Sequence, residues 1–370
     1  MFEFARIKEY QIEITSYCNA ACPQCPRNLN GHGTNPYMPL THLPADVIDR
    51  AFDQDVCKQI SQVFFCGSYG DPIMHPEFPA ILQDFRRKNP QLWLYIHTNG
   101  GVHDTKYWQR IAEVLQGYGQ VDFGIDGLEN TLHLYRRNVQ YNRVINNARA
   151  FIDAGGRAQW NFIVFRHNEH EIEQVQEQAH KLGFANVLIR NTGRFFNHEQ
   201  VEEMPSWPVH SRQGVAYYLE PPSLPQHRNA SMLNLKTLKT EYTDLKNYFD
   251  TTPITCDALQ GRKVAVNAEG LVLPCNFLNH NLYDARFHNN SLPGANVLSK
   301  VNGQNQVQQF VAKYGKDNLN IKHRTLPEIF ANAFWQDLVD SFAGPGRLFE
   351  CAMTCGSRLT KVWDQGGSTR

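Results

Sequence analysis

Three cysteines fall within one short stretch, Ile14-Thr-Ser-Tyr-Cys18-Asn-Ala-Ala-Cys22-Pro-Gln-Cys25-Pro-Arg27. Spacings of four and three residues let all three thiols point into one small loop. Such a loop can hold three corners of a cubic 4Fe–4S cluster and leave the fourth iron without a protein ligand. An iron with an open position does chemistry, whereas a fully ligated cluster mainly carries electrons. The plainer alternatives are three buried core thiols or a zinc loop. Zinc sites usually pair C-x2-C with a second such pair, a form this triplet lacks.

The rest of the chain must position that loop. Its 370 residues suffice for one large domain and a smaller one. The 36 Lys and Arg balance 36 Asp and Glu, and no basic block stands out, so a non-specific nucleic-acid groove is not indicated. No stretch reaches the apolar length of a membrane span, and Met1-Phe-Glu-Phe-Ala-Arg is not a signal peptide. Nine cysteines without a secretory signal argue for ligands or buried thiols rather than disulfides, and the expected location is the cytoplasm.

Strand-like runs occur at residues 11–15, 62–66, 92–96, 120–125, 159–165 and 186–190. Helical patterns fall between them at 44–60, 76–89, 104–117, 139–154 and 169–182. Short apolar runs separated by amphipathic stretches describe βα units and a parallel sheet. Six such units predict an α/β fold, a partial (β/α)6 TIM-like barrel over residues 1–194, with its active site at the C-terminal ends of the strands. The cysteine loop, Cys66–Pro72, His97–Gly101 and Ile125–Gly127 each follow a strand and would meet at one mouth. Residues 195–250 read as a linker with a helix near 236–249. Residues 251–370 form a smaller unit with a polar insertion at 276–345 and a helix at 326–341.

The C-x3-C-x2-C spacing just after a first strand resembles the signature of the radical SAM superfamily, where S-adenosylmethionine (SAM) chelates the open iron. That resemblance implies roles for several strand-end residues. Tyr69-Gly70-Asp71-Pro72 is similar to the family's Gly-Gly-Glu-Pro motif, with Asp71 in place of Glu, and would meet the SAM ammonium. The same residues also suit an ordinary β-turn. Thr98-Asn99-Gly100 resembles the turn near the ribose. Phe123-Gly-Ile-Asp126-Gly…Tyr135-Arg136-Arg137 resembles a pattern whose arginine pairs with the SAM carboxylate, which a guanidinium suits well. Gly124 stands where a serine is usual, and Gln24 where an aromatic often lies. By the same resemblance, the strand containing Val164 fits the adenine side. Arg190 and Arg194 flank the last barrel strand and either line the substrate cavity or cap a loop.

A second cysteine set comes later in the chain. Cys256 and Cys275 frame a hairpin with Glu269-Gly270 at its turn, in the pattern C-x13-G-x4-C, and Cys351-Ala-Met-Thr-Cys355 lies beyond it. The first half resembles the opening of the SPASM/twitch extension, which implies a twitch-like hairpin-plus-helix domain with one auxiliary 4Fe–4S cluster. Four thiolates would close that cluster, pointing to outer-sphere electron transfer; tetrahedral zinc is the alternative. Of the two remaining thiols, Cys57 reads as core. Cys66 ends the second strand and is a candidate catalytic thiol or a small buried hydrophobe.

The resemblance thus implies reductive SAM cleavage, hydrogen abstraction from a substrate, and an electron donor such as flavodoxin or ferredoxin. A peptide or protein side chain is the first substrate class; an aminocyclitol- or sugar-like small molecule is the alternative. A non-catalytic iron–sulfur or zinc scaffold is the third reading. Only 17 residues precede Cys18. A precursor peptide is therefore expected to dock on the 195–250 or 276–345 insertions.

Overall fold

The computed structural model describes residues 1–197, 202–229, 245–288, 305–344 and 346–356. Its centre is a parallel sheet of β1 (Glu9–Ile12), β2 (Gln62–Phe65), β3 (Trp93–Thr98), β4 (Gly119–Gly124), β5 (Ala158–Val164) and β6 (Asn186–Asn191). The strands lie side by side in chain order with no reversal. A doubly wound sheet would reverse its order at a switch point; uninterrupted progression is the winding of a barrel wall. The fold is α/β, and the partial TIM-like barrel is the architecture found.

Helices α1 (Ala45–Ala51), α2 (Gln54–Gln59), α3 (Phe78–Lys88), α4 (Thr105–Leu115), α5 (Leu132–Tyr135), α6 (Tyr141–Asp153) and α7 (Ile172–Leu182) fall between the strands. In α4 the buried residues Trp108, Ile111, Ala112 and Leu115 follow helical spacing, and Asp104 caps the start by accepting from the Tyr107 N–H at 3.0 Å. This stripe meets the outward residues of β4, with Trp108 and Phe123 ring centroids 5.1 Å apart. Burying each such side chain stabilises the fold by about 1.5–3 kcal/mol. Alternate residues of the same strands face the other way and are polar: Gln120 and Asp122 on β4, Gln159 and Asn161 on β5. The barrel thus has an apolar outside under helices and a polar inside.

Boundaries differ locally from those expected. The first strand ends at Ile12 because residues 13–16 turn away, with Thr15 bridging to His42. The helix expected over 44–60 is two helices, since the Asp53 side chain caps α2 by accepting from Asp55 and Val56 N–H groups. The helix expected over 326–341 is likewise split, into Leu326–Phe330 and Phe334–Ser341. The hairpin strands Lys263–Val266 and Val272–Leu273 do form, and the first pairs in parallel with β1. They extend the barrel sheet to eight strands. Of the helix expected over 236–249, residues 236–244 lie outside the described residues; Leu245–Thr251 is helical. Residues 289–304 of the expected polar insertion also lie outside them. Among the described residues no helix is long and apolar enough to cross a membrane.

Candidate active site

The triad loop leaves β1 and is held by short-range turns: Cys25 N–H donates to the Cys22 carbonyl at 3.1 Å, and Asn28 N–H to the Cys25 carbonyl at 2.9 Å. Arg27 Nη1 braces it on the Ser16 carbonyl at 2.8 Å. All three thiols are free, and Cys22 is buried. Burial pushes the Cys22 thiol up to about 11, opposed by the Arg136 guanidinium and reinforced by Cys25. Cys18 is raised by burial, then by Asp71, Cys22 and Cys25. Cys18 and Cys22 therefore stay protonated unless a cation offsets them, so metal binding would displace their protons. This donor set fits an iron–sulfur cluster. Among the described residues no three His, Cys, Asp or Glu side chains converge on a single-ion site.

The turn after β2 is held from an unexpected side. Glu13 Oε1 accepts the N–H groups of Tyr69 at 2.6 Å and Gly70 at 2.9 Å, and its Oε2 accepts Asn279 Nδ2 at 2.9 Å. Asn279 lies on the helix Asn276–Leu282, directly after Cys275. That helix also receives the Tyr69 hydroxyl on the His280 carbonyl at 2.6 Å. Asp71 is buried, and its Oδ2 accepts the backbone N–H of Asn99 at 2.8 Å and Asn99 Nδ2 at 2.6 Å. Asn99 Nδ2 also reaches Asn19 Oδ1 at 2.9 Å and Cys18 Sγ at 3.8 Å. Thr98 Oγ1 accepts the Gly100 N–H at 3.0 Å. Tyr69, Gly70, Asp71, Thr98 and Asn99 therefore form one hydrogen-bonded unit beside the triad.

Burial raises Glu13 to about 7 against its hydrogen bonds. A carboxyl whose folded pKa exceeds its unfolded value stabilises the fold in its protonated form. That contribution is complete below about pH 4.5 and lost as pH rises through about 7, up to about 3 kcal/mol in all. Thermal midpoints of the metal-free protein are therefore expected to fall across this window. Glu13→Gln should flatten that part of the profile; an unchanged pH slope would show Glu13 ionised throughout.

The third loop centres on Asp126, which has no exposed surface. Its Oδ2 accepts Arg136 Nε at 2.5 Å and its Oδ1 the Ile163 N–H at 2.7 Å, beside Val164 at the end of β5. Arg136 Nη1 stands 3.9 Å from Cys22 Sγ. Gly124 makes room for it, since a Cβ there would lie 2.4 Å from Arg136 Nη2. Arg137 is turned elsewhere: its Nη1 donates to the Gly31 carbonyl at 2.9 Å and the His210 carbonyl at 2.6 Å, clamping the loop to the hairpin Trp207–Ser211/Gly214–Leu219. Arg194 caps a loop, donating to the Gln24 carbonyl at 2.9 Å. Arg190 faces the barrel interior, its Nε on Asn161 Oδ1 at 2.7 Å.

Cys256, Cys275, Cys351 and Cys355 line one pocket with Pro274, Phe277, Leu338 and Phe342. Cys351 and Cys355 share a face of the helix Phe349–Cys355, and Cys256 and Cys275 each precede a helix. Burial pushes Cys275 up to about 12, and Cys351 is raised by burial, Cys275 and Cys355. Cys57 is a core thiol, its Sγ on the Phe52 carbonyl at 3.3 Å. Cys66 lies inside the barrel, 3.8 Å from His97 Nδ1, and burial raises it to about 12, which suppresses the nucleophilic thiolate. The residues missed from sequence are Glu13, Asn279 and Asn19, whereas the sequence places His97 at the mouth and Asn161 on the adenine-side strand without the contact between them. Only Glu13 carried a local signal, a carboxylate placed between Ile12 and Ile14.

A progressive parallel barrel wall with a cysteine loop and hydrogen-bonded turns at its strand ends defines a radical SAM type of site. The model of the radical SAM superfamily matches residues 12–203, just over half the chain, and the chain belongs to that superfamily. The PqqA peptide cyclase of Granulibacter bethesdensis is 23% identical over 181 residues, covering 48% of this chain and 46% of the cyclase. The chain thus matches about half the length of that relative. Among solved structures, anSMEcpe with bound AdoMet gives a TM-score of 0.52 at 15% identity, over 98% of this chain and 88% of that one. Streptococcus suis SuiB gives 0.46 at 15% identity, over 73% of this chain and 60% of its own. At such identities the likeness to anSMEcpe speaks for the fold.

Proposed function

We propose that the chain is a radical SAM enzyme acting on a peptide or protein side chain. In this reading Cys18, Cys22 and Cys25 hold the SAM-binding 4Fe–4S cluster, and Cys256, Cys275, Cys351 and Cys355 hold an auxiliary one. The observation that carries it is the meeting of three strand-end loops around the free triad thiols, through Asn99 at Cys18 and Arg136 at Cys22. When bound, reduced cluster and SAM together supply a 5′-deoxyadenosyl radical that takes a hydrogen atom from substrate.

The chain's own residues do the positioning. Glu13 and Asp71 freeze the 69–71 turn so that its backbone meets the SAM ammonium, while Asp126 aims Arg136 toward the carboxylate. Asn99 joins the turn after β3 to the triad loop. Four thiols in an apolar pocket suit a closed cluster that passes electrons without binding substrate. The peptide class draws support from the relatives: a peptide cyclase, and anSMEcpe, which was solved with bound AdoMet and the Cp18Cys peptide. A flavodoxin or ferredoxin would provide the reducing electron.

Anaerobic reconstitution tests the two-cluster reading. Wild-type protein is expected to bind about eight irons, and a variant with Cys256, Cys275, Cys351 and Cys355 changed to alanine about four. About four irons in both proteins would remove the auxiliary cluster.

A further inference from the structure

We propose that Arg190 is the docking point for a carboxylate carried by the substrate, on the inner wall of the barrel. This deepens the enzymatic reading above and rests on it. The wall is built by Cys66 after β2, His97 on β3, Asn161 on β5 and Arg190 on β6. Arg190 Nε is fixed on Asn161 Oδ1 at 2.7 Å, and Asn161 Nδ2 meets His97 Nε2 at 3.2 Å. His97 in turn faces the Cys66 thiol at 3.8 Å. One edge of the guanidinium is thus anchored. Among the described residues its two terminal nitrogens have no acceptor, and Arg190 pairs with no carboxylate.

The other charges at this mouth are already matched. Asp122, on β4 two strands away, takes the Tyr95 hydroxyl together with Gln120 Nε2 at 2.8 Å and Gln159 Nε2 at 2.9 Å. Arg136 is held by Asp126, Arg194 by the Gln24 carbonyl, and Arg137 by two carbonyls. His97 is kept neutral, its pKa lowered to about 3 by burial and by Arg190 and Arg136, so it competes for no anion. Desolvation lowers the pKa of Arg190. Arg190 is half-buried and feels Asp122 and Asp126 only through space, with no carboxylate in contact, and an anchored planar fork whose terminal nitrogens lack an acceptor matches a carboxylate in bidentate geometry. The substrate is the better source than SAM. Arg136 stands at Cys22, whereas the neighbours of Arg190 (Cys66, His97 and Asn161) bond to one another and not to the triad.

The probe is glutarate, with uncharged glutaramide as its control, followed by saturation-transfer NMR on reconstituted full-length protein saturated with SAM. Glutarate is expected to bind wild type and glutaramide not. Arg190→Gln should weaken glutarate by at least about tenfold, and Arg190→Lys should retain part of the affinity. SAM affinity, read by equilibrium dialysis, should stay within about twofold in both variants, and thermal midpoints report that they fold. Failure of wild type to bind glutarate, or equal binding by Arg190→Gln, overturns the proposal. So does a tenfold loss of SAM affinity, which would give Arg190 to the SAM carboxylate. Wild-type protein that assembles no cluster and cleaves no SAM would instead remove the enzymatic reading, whatever Arg190 binds.

Discussion

Gly70→Ala is expected to destabilise the protein by about 3 kcal/mol or more and to abolish SAM binding. A Cβ at this position would lie 1.7 Å from the Thr15 carbonyl oxygen and 2.6 Å from its carbon. Both are backbone atoms of the segment that leads into the triad, so no side-chain rotation relieves the clash. Gly70 is not among the glycines with positive φ, so close approach rather than backbone conformation requires it. Either the 69–71 turn or the residue 13–18 segment must move, and the two share the Glu13 hydrogen bonds. Thermal denaturation and equilibrium dialysis with SAM read the two losses. Gly344→Ala, whose Cβ would meet only the Asp340 carbonyl at 3.9 Å, should be close to neutral. Wild-type behaviour in Gly70→Ala would show that the turn and the triad loop are not in contact.

Arg136→Ala should cost about 3–5 kcal/mol, because it strands a fully buried carboxylate. Asp126 has one oxygen on the Ile163 N–H and the other on Arg136 Nε, and water does not reach it. Removing both charges together, as Asp126→Asn with Arg136→Gln, should cost less than Arg136→Ala alone, since no unpaired charge remains. Urea unfolding of the metal-free variants measures both quantities. Arg137→Ala should be milder, since it leaves two carbonyls at a part-exposed loop and no buried charge. Equal costs for the two arginines would contradict the arrangement at Asp126.

Much of this arrangement was legible in the sequence because it is local. Three thiols at spacings of four and three residues must share a loop, and strand–helix alternation leaves few topologies besides a barrel wall. Choosing between Arg136 and Arg137 was harder. They are adjacent, and the backbone leaving α5 decides which one turns to Asp126. The partners of Glu13 could not be read at all, since Asn279 is 266 residues away. The hairpin around Glu269-Gly270 announced itself by its turn. Its parallel seat on β1 depends on a pairing between Glu9 and Lys263 that no local pattern encodes. The inner barrel wall was hidden for another reason: polar residues alternating with aromatic ones, as in Gln159-Trp-Asn161-Phe, look like a solvent-facing strand until the barrel curves around them.

The most direct measurement is 5′-deoxyadenosine formation by anaerobically reconstituted, dithionite-reduced protein given SAM. Wild-type protein should form it, and Cys18→Ala, with its triad broken but Cys256, Cys275, Cys351 and Cys355 intact, should not. Absence of 5′-deoxyadenosine from iron-loaded wild type, or its equal formation by Cys18→Ala, would contradict the assignment of SAM chemistry to the triad.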